Sequence, residues 1–165
     1  MVIVPIELYR VDDRLIHGQV VVGWGQPLDL AFIVLVDDAV AANQWEQDLY
    51  RMGAPPEMDL KFESTTSVLE RLAAYQADER PGMLLTADVE TMRRIVESAG
   101  TVRHVNLGGV HHSVGRAPRL RYVFLTPDEE CTLRSLAASG VTITAQDVPS
   151  ATPVPLEDVL SGSGA

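Results

Sequence analysis

His17 is the residue of this 165-residue chain whose neighbours best equip it for chemistry. It stands in the run Arg10-Val11-Asp12-Asp13-Arg14-Leu15-Ile16-His17-Gly18-Gln19-Val20. An unperturbed histidine titrates near about 6.5, so at cellular pH its imidazole is mostly neutral and nucleophilic. Such a ring can take a phosphoryl group and pass it on. The incoming dianion then needs hydrogen-bond donors around it. Arg14 offers a bidentate guanidinium, and Gly18 lets the backbone come close. A helix starting there would add its positive end. Asp12 or Asp13 can fix the ring's tautomer by accepting a ring N–H. The same residues also have a purely structural reading, with Asp13 capping a helix and His17 exposed in its first turn. A lone histidine does not decide between the two.

Two other clusters carry reactive side chains. Asp37-Asp38 ends an apolar run and could hold Mg²⁺, or Asp38 could cap the next helix. With Asp12-Asp13 it suggests a phospho-aspartate receiver, but that chemistry wants a lysine late in the sheet. The sole lysine, Lys61, instead opens a third strand. His104, His111 and His112 flank Asn106-Leu107-Gly108-Gly109, without a carboxylate or cysteine spaced to complete a metal set. The glycines allow a tight turn but lack the third glycine and helix of a dinucleotide fingerprint. Arg116, Arg119 and Arg121 follow, a basic patch suited to an anion or an acidic partner.

These residues must be positioned by alternating strands and helices. Strands are expected at 5–10, 31–36, around Leu60 and Phe62, at 83–86, at 104–107, over 119–125 and at 141–144. Ala31 to Val36 is apolar throughout, as in a strand covered on both faces. Helices are expected over 17–27, over 40–52 with Ala41, Trp45, Leu49 and Met52 on one stripe, and over 67–76. Another places Val89, Met92, Ile95 and Val96 together. One more starts at Thr126-Pro127 with Glu129 closing a capping box, and Gly140 stops it. A short helical segment is expected at 156–160. The fold class is therefore α/β: a single domain over 1–160, a mainly parallel doubly wound sheet with helices on both faces, then a disordered tail at 161–165. Ligands bind such sheets at the carboxyl ends of the strands.

Composition narrows the function. The net charge is −10, and the pI is about 4.7, so nucleic acid is not an expected partner. No apolar run approaches the roughly 18 residues that suggest a membrane span. A single cysteine, Cys131, excludes an internal disulfide framework, and no secretory signal is evident. A cytoplasmic setting is expected.

The run from Arg10 to Val20 closely resembles the phosphorylation loop of the mannose/fructose/sorbose-family enzyme IIB of the bacterial phosphotransferase system (PTS). Trp24, Ile33-Val34-Leu35-Val36-Asp37-Asp38, Ala54-Pro55-Pro56, Val105-Asn106-Leu107-Gly108-Gly109, Gly140-Val141 and Val148-Pro149 look like that family's landmarks, in its order. The resemblance implies a phosphocarrier. It would take a phosphoryl group from phosphohistidine on IIA and pass it to a sugar bound by the membrane components IIC and IID, with which it would associate peripherally. His17 matches the phosphorylated histidine, which in the family is linked through Nδ1 (the pros, or Nπ, position). Arg14 matches the arginine that steadies the phosphoryl group. Gly18, Asp13 and, as a hydroxyl donor at a neighbouring strand end, Thr86 complete the expected phosphate site. No metal or cofactor is implied. A homodimer is a further expectation, and a stand-alone IIB-like regulator switched by His17 phosphorylation is the alternative.

Overall fold

A computed structural model describes residues 6–17 and 19–162. Along the chain come β1 (Leu8–Val11), a π-helical segment (Gln19–Trp24), β2 (Phe32–Val36), α1 (Asp38–Ala41), α2 (Gln44–Gly53) and β3 (Asp59–Glu63). Next are α3 (Thr65–Gln76), β4 (Gly82–Thr86), α4 (Val89–Ala99), β5 (His104–Leu107) and the short strands β6 (Ala117–Leu120) and β7 (Val123–Leu125). The chain continues through α5 (Pro127–Ala138), β8 (Thr142–Ala145), β9 (Val154–Pro155) and α6 (Leu156–Ser161). The sheet runs β3-β2-β4-β1-β5-β8-β9. All its neighbours are parallel except the β8–β9 pair.

The apolar run of β2 explains the layering. Phe32, Val34 and Val36 point into one core with α3, α4, α5 and α6, whereas Ile33 and Leu35 point into a second with Ile16, Val21, Val40 and the inner side of α2. Alternate residues of one strand thus serve both faces, the signature of a doubly wound sheet. β1 leads onto the second face, while its neighbours β4 and β5 both lead onto the first. The carboxyl end of β1 is therefore a topological switch point, where a crevice opens for a ligand.

Local differences from the sequence expectations have physical causes. The helix expected over 17–27 is a π-helical segment followed by turns. The single helix expected over 40–52 is two, because the Asn43 side chain accepts from Glu46 N and caps a new start. Its apolar stripe also faces the opposite way from the expected one. Trp45, Leu49 and Met52 are 72%, 45% and 81% exposed. The strand expected over 119–125 is an antiparallel hairpin of β6 and β7 that stands apart from the main sheet. Lys61 lies in the middle of β3, paired with Asp59 at 3.3 Å. Ser161, expected in a disordered tail, closes α6 and donates to Asp158 O at 3.1 Å. The α5 capping box of Thr126 and Glu129, with Pro127 behind the cap, forms as its sequence dictates.

Candidate functional site

Beyond β1 the chain makes a tight turn. Leu15 N donates to Asp12 O at 3.0 Å, and Arg14 N donates to the Asp12 carboxylate at 3.1 Å. Leu15 then takes φ +59°, a left-handed conformation costly for a branched side chain. That conformation aims its carbonyl at the histidine, and His17 Nδ1 lies 3.0 Å from Leu15 O. A carbonyl only accepts, so the neutral ring carries its proton on Nδ1 and its lone pair on Nε2. Nε2 is buried and has no hydrogen-bond partner among the described residues. Leu15, rather than Asp12 or Asp13, sets the tautomer.

Asp12 is instead the hub of a buried ion cluster. It meets Arg10 at 3.1 Å, and both side chains are fully buried. Arg14 grips it with Nε at 3.0 Å and a terminal nitrogen at 2.9 Å. Burial alone would raise the Asp12 carboxyl. The Arg14 hydrogen bonds and the charges of Arg10 and Arg14 outweigh that and hold it below the usual carboxylate range. Burial is also the dominant influence on Arg10 and lowers it, with Asp12 opposing. Its guanidinium additionally donates to the Asn106 side chain, to Gln146 O at 2.9 Å and to Asp147 O at 3.2 Å. It stacks 4.5 Å from the Trp24 ring, whose Nε1 donates to Asp147 O at 3.3 Å. Arg10 thus staples the ends of β1, β5 and β8 to the π-helical segment.

Arg14 bridges this cluster to the surface. Besides Asp12 it meets Asp147 at 3.2 Å and is 26% exposed. Its protonated form is reinforced chiefly by the Asp12 hydrogen bond. Asp13 serves a different histidine. Its carboxylate accepts from His111 N at 2.7 Å and sits 2.5 Å from His111 Nδ1. The glycines past β5 make this convergence possible. A Cβ on Gly108 would collide with the Arg10 guanidinium and lie 2.5 Å from the Asp12 carboxylate. One on Gly109 would stand 2.8 Å from the His111 ring, 3.0 Å from Arg14 Nε and 3.2 Å from Asp12. Arg14, His111 and Asp12 therefore crowd one backbone position that only glycine leaves open.

Other sequence candidates lie elsewhere. Thr86 is fully buried and its hydroxyl donates to Asp88 O at 3.0 Å, so its proton does not face the site. Its carbonyl does contribute, accepting from Asp12 N at 2.9 Å. Gly18 lies outside the described residues. Asp37 caps α1 and Asp38 accepts from Thr65 N at 2.7 Å, so both carboxylates are spent on backbone N–H groups. The expectation that Asp38 caps the following helix is corrected accordingly. His104 begins β5, at the amino end of the strand whose carboxyl end leads to His111 and His112. Among the described residues no group of three metal-ligating side chains converges. The basic patch is largely neutralised: Glu129 chelates Arg116 at 3.0 and 3.1 Å, and Glu130 meets Arg119 at 2.5 Å. Only Arg121 extends freely into solvent, 89% exposed and 4.0 Å from Asp147. Sequence reasoning missed Arg10, Asn106, Asp147 and the Asp13–His111 pair. An arginine inside an otherwise apolar strand was the one available signal.

Comparison with known proteins places this geometry. Residues 6–164 match the family described as PTS system sorbose subfamily IIB component. The chain belongs to that family. It is 33% identical over 86% of its length, and 90% of the relative's, to the N-acetylgalactosamine-specific phosphotransferase enzyme IIB component 1 of Escherichia coli K12. It is 28% identical to the mannose-specific EIIAB component of the same strain, of which it spans 48%. Its fold matches the crystal structure of the IIBSor domain of the sorbose permease from Klebsiella pneumoniae, with TM-score 0.86 and 26% identity over 95% of this chain and 96% of that one. As a PTS IIB component it is part of a phosphotransferase enzyme of sugar transport. Membership implies partnership with IIA and with IIC and IID. No helix among the described residues is long and apolar enough to cross a membrane.

Proposed function

We propose that this chain is the phosphocarrier of a mannose- or sorbose-class sugar phosphotransferase system, working in the cytoplasm and carrying the phosphoryl group on His17. The observation that carries the reading is the Leu15–His17 geometry beside the Arg10–Asp12–Arg14 cluster. A histidine of defined tautomer stands at the switch point, on the same loop as Arg14, whose guanidinium Asp12 and Asp147 hold in place.

Acceptance breaks the P–N bond of the donor's phosphohistidine and forms a P–N bond to His17. The donor's nitrogen keeps the departing electron pair and a His17 nitrogen supplies the new one. Little free energy separates the two phosphohistidines, so positioning and charge stabilisation do the work. Arg14 is the phosphate-steadying group, and Asp13 acts through His111, whose ring lies beside Arg14. Attack through Nδ1, the linkage the family resemblance implies, requires the ring to leave Leu15 O and move its proton to Nε2. Delivery breaks the His17 P–N bond and forms a P–O bond to a sugar hydroxyl at IIC and IID; the ring nitrogen keeps the departing electron pair and the hydroxyl proton passes to solvent.

The test is transfer from phosphorylated IIA. The wild type gains an acid-labile phosphate and His17→Ala gains none. Label persisting on His17→Ala overturns the assignment.

A further inference from the structure

The carboxylate of Asp147 stands between two arginines. One of its oxygens lies 3.2 Å from a terminal nitrogen of Arg14, and the other lies 4.0 Å from a terminal nitrogen of Arg121. The first contact is a hydrogen-bonded pair. The second is too long for a hydrogen bond, although charge attraction persists at that range. The main chain of Asp147 is pinned. Its carbonyl accepts from Arg10 at 3.2 Å and from Trp24 Nε1 at 3.3 Å. The residue before it is fixed as well: Gln146 N donates to Leu107 O at 2.9 Å, and its side chain donates to Pro149 O and Ala151 O at 3.0 and 2.7 Å. Only the carboxylate, 22% exposed, can turn on its own side-chain torsions without moving the backbone.

Arg121 is placed to receive that carboxylate. Arg121 and Tyr122 form the turn that links β6 to β7, between the paired residues Leu120 and Val123. Tyr122 O accepts from Val110 N at 2.8 Å, which ties the turn to the segment beyond β5. The root of the Arg121 side chain is therefore fixed, while the side chain is 89% exposed. Its neighbours Arg116 and Arg119 are engaged by Glu129 and Glu130. Among the described residues, Asp147 is the one carboxylate within ion-pair reach of Arg121.

On the phosphocarrier reading, Arg14 must turn a donor toward the phosphoryl group. Its contact with Asp12 is to a fully buried carboxylate, whereas Asp147 is partly exposed and the looser of the two partners. Asp147 is thus the partner that yields. A carboxylate left beside a new dianion would be repelled, and partial exclusion of water strengthens that repulsion. Turning toward Arg121 relieves it and closes the 4.0 Å approach into a hydrogen-bonded pair. We infer that Arg121 is a positioning residue of the phosphoryl site: it takes up the Asp147 carboxylate when a phosphoryl group on His17 displaces it from Arg14. The inference rests on the phosphocarrier reading above. Arg121 acts through Asp147 and does not itself touch the phosphoryl group.

The experiment measures the equilibrium constant for phosphoryl exchange between phosphorylated IIA and the full chain, in dilute solution at about 0.15 M salt. An equilibrium constant between separated proteins is blind to how they dock, so a change in docking alone leaves it unmoved. Arg121→Ala should lower the constant about three-fold, the size of an exposed ion pair. Asp147→Asn should raise it above wild type, because no carboxylate then competes for Arg14. Adding Arg121→Ala to Asp147→Asn should change the constant by less than about 1.5-fold, since the two residues act as one unit. A loss on removing Arg121 that persists in the Asp147→Asn background overturns the inference, because Arg121 would then act on the phosphoryl group directly. So does an Arg121→Ala constant equal to or above wild type, or an Asp147→Asn constant below it. Urea unfolding checks that the variants fold. The wild type supplies a measurement that needs no substitution: exchange of the Arg121 Nε–H with water should slow on phosphorylation, and unchanged exchange overturns the inference as well. A wild type that gains no acid-labile phosphate, or His17→Ala that gains one, fails the phosphocarrier reading itself. Phosphorylation on His17 without the Arg121–Asp147 pattern fails the inference alone.

Discussion

Replacing Arg10 by methionine tests whether the buried ion cluster holds the loop that carries His17. The arginine side chain is fully buried, and its guanidinium donates to Asn106, Gln146 O, Asp12 and Asp147 O while stacking on Trp24. Methionine keeps the apolar stem out to the position of Nε but removes every donor. Breaking a buried ion pair from one side costs about 3–5 kcal/mol. Two influences bracket that figure. Asp12 keeps Arg14, which pulls the cost toward the lower end. Two backbone carbonyls and the Asn106 oxygen lose a donor, at about 1 kcal/mol or more each, which pushes it up. A net loss of about 4 kcal/mol follows, equivalent to a fall in Tm of roughly 8–16 °C for a chain of this size. Urea unfolding measures it, with an unchanged m-value showing that the native state stays compact. Phosphate acceptance from IIA, assayed well below the variant's Tm, should fall as well, because Asp12 and Arg14 lose their anchor. Stability within about 1 kcal/mol of wild type would refute the reasoning. It would mean that Arg14 alone suffices to compensate the buried Asp12 carboxylate.

Gly109→Ala should unfold only slightly more easily yet accept phosphate at least ten-fold more slowly, since the added carbon displaces Arg14 and the His111 ring; parallel unfolding and transfer assays check it. In the unphosphorylated protein, ¹⁵N chemical shifts should show neutral His17 with its proton on Nδ1, and phosphorylation should move the proton to Nε2 as phosphorus takes Nδ1. A resting Nε2–H form would contradict the Leu15 hydrogen bond. The carboxyls of Asp12 and Glu63 are both held low, each despite burial that alone would raise it. Arg14 and Arg10 outweigh burial at Asp12, and Ser67, Tyr75 and Arg71 outweigh it at Glu63. Their contribution to stability is therefore complete above the unfolded values near about 4 and is lost as pH falls through the lower folded ones. In Asp12→Asn the acid limb of the stability–pH curve should flatten, which calorimetry across pH 2–6 would reveal.

The sheet was legible because it depends on short-range pattern. The run Phe32 to Val36 is apolar at every position, which only a strand buried on both faces needs, and Thr126-Pro127 followed by Glu129 specifies a helix start through local hydrogen bonds alone. His17 and Arg14 were singled out through resemblance. Their real neighbours were not, because those contacts span the chain. Asp13 reaches His111 across a separation of 98 residues, and Arg10 reaches Gln146 across 136. Asp12 and Asp13 are adjacent and identical in type, and only the fold sends one into a buried cluster and the other to a surface histidine. α2 failed for a different reason. Periodicity reports that a helix has an apolar face but not which way the face points.

The arrangement around Arg14 also bears on why the carrier can both accept and give. Buried ion pairs add little net stability because desolvation offsets their attraction, but they hold side chains in one geometry. In the resting protein Arg14 is already partly withdrawn from water and already faces two carboxylates, Asp12 and Asp147. On the proposed function, a phosphoryl group arriving on His17 meets a guanidinium that already gives up part of its water to carboxylates. It competes with Asp147, the more exposed partner, for a cation that Asp12 keeps in place. Exchanging one anion for another changes the electrostatic energy far less than pairing a solvated arginine would. A deep well for phosphate would speed acceptance and then trap the product. On that reading, keeping Arg14 paired in both states would make the well shallow, which is what a group that must leave again requires.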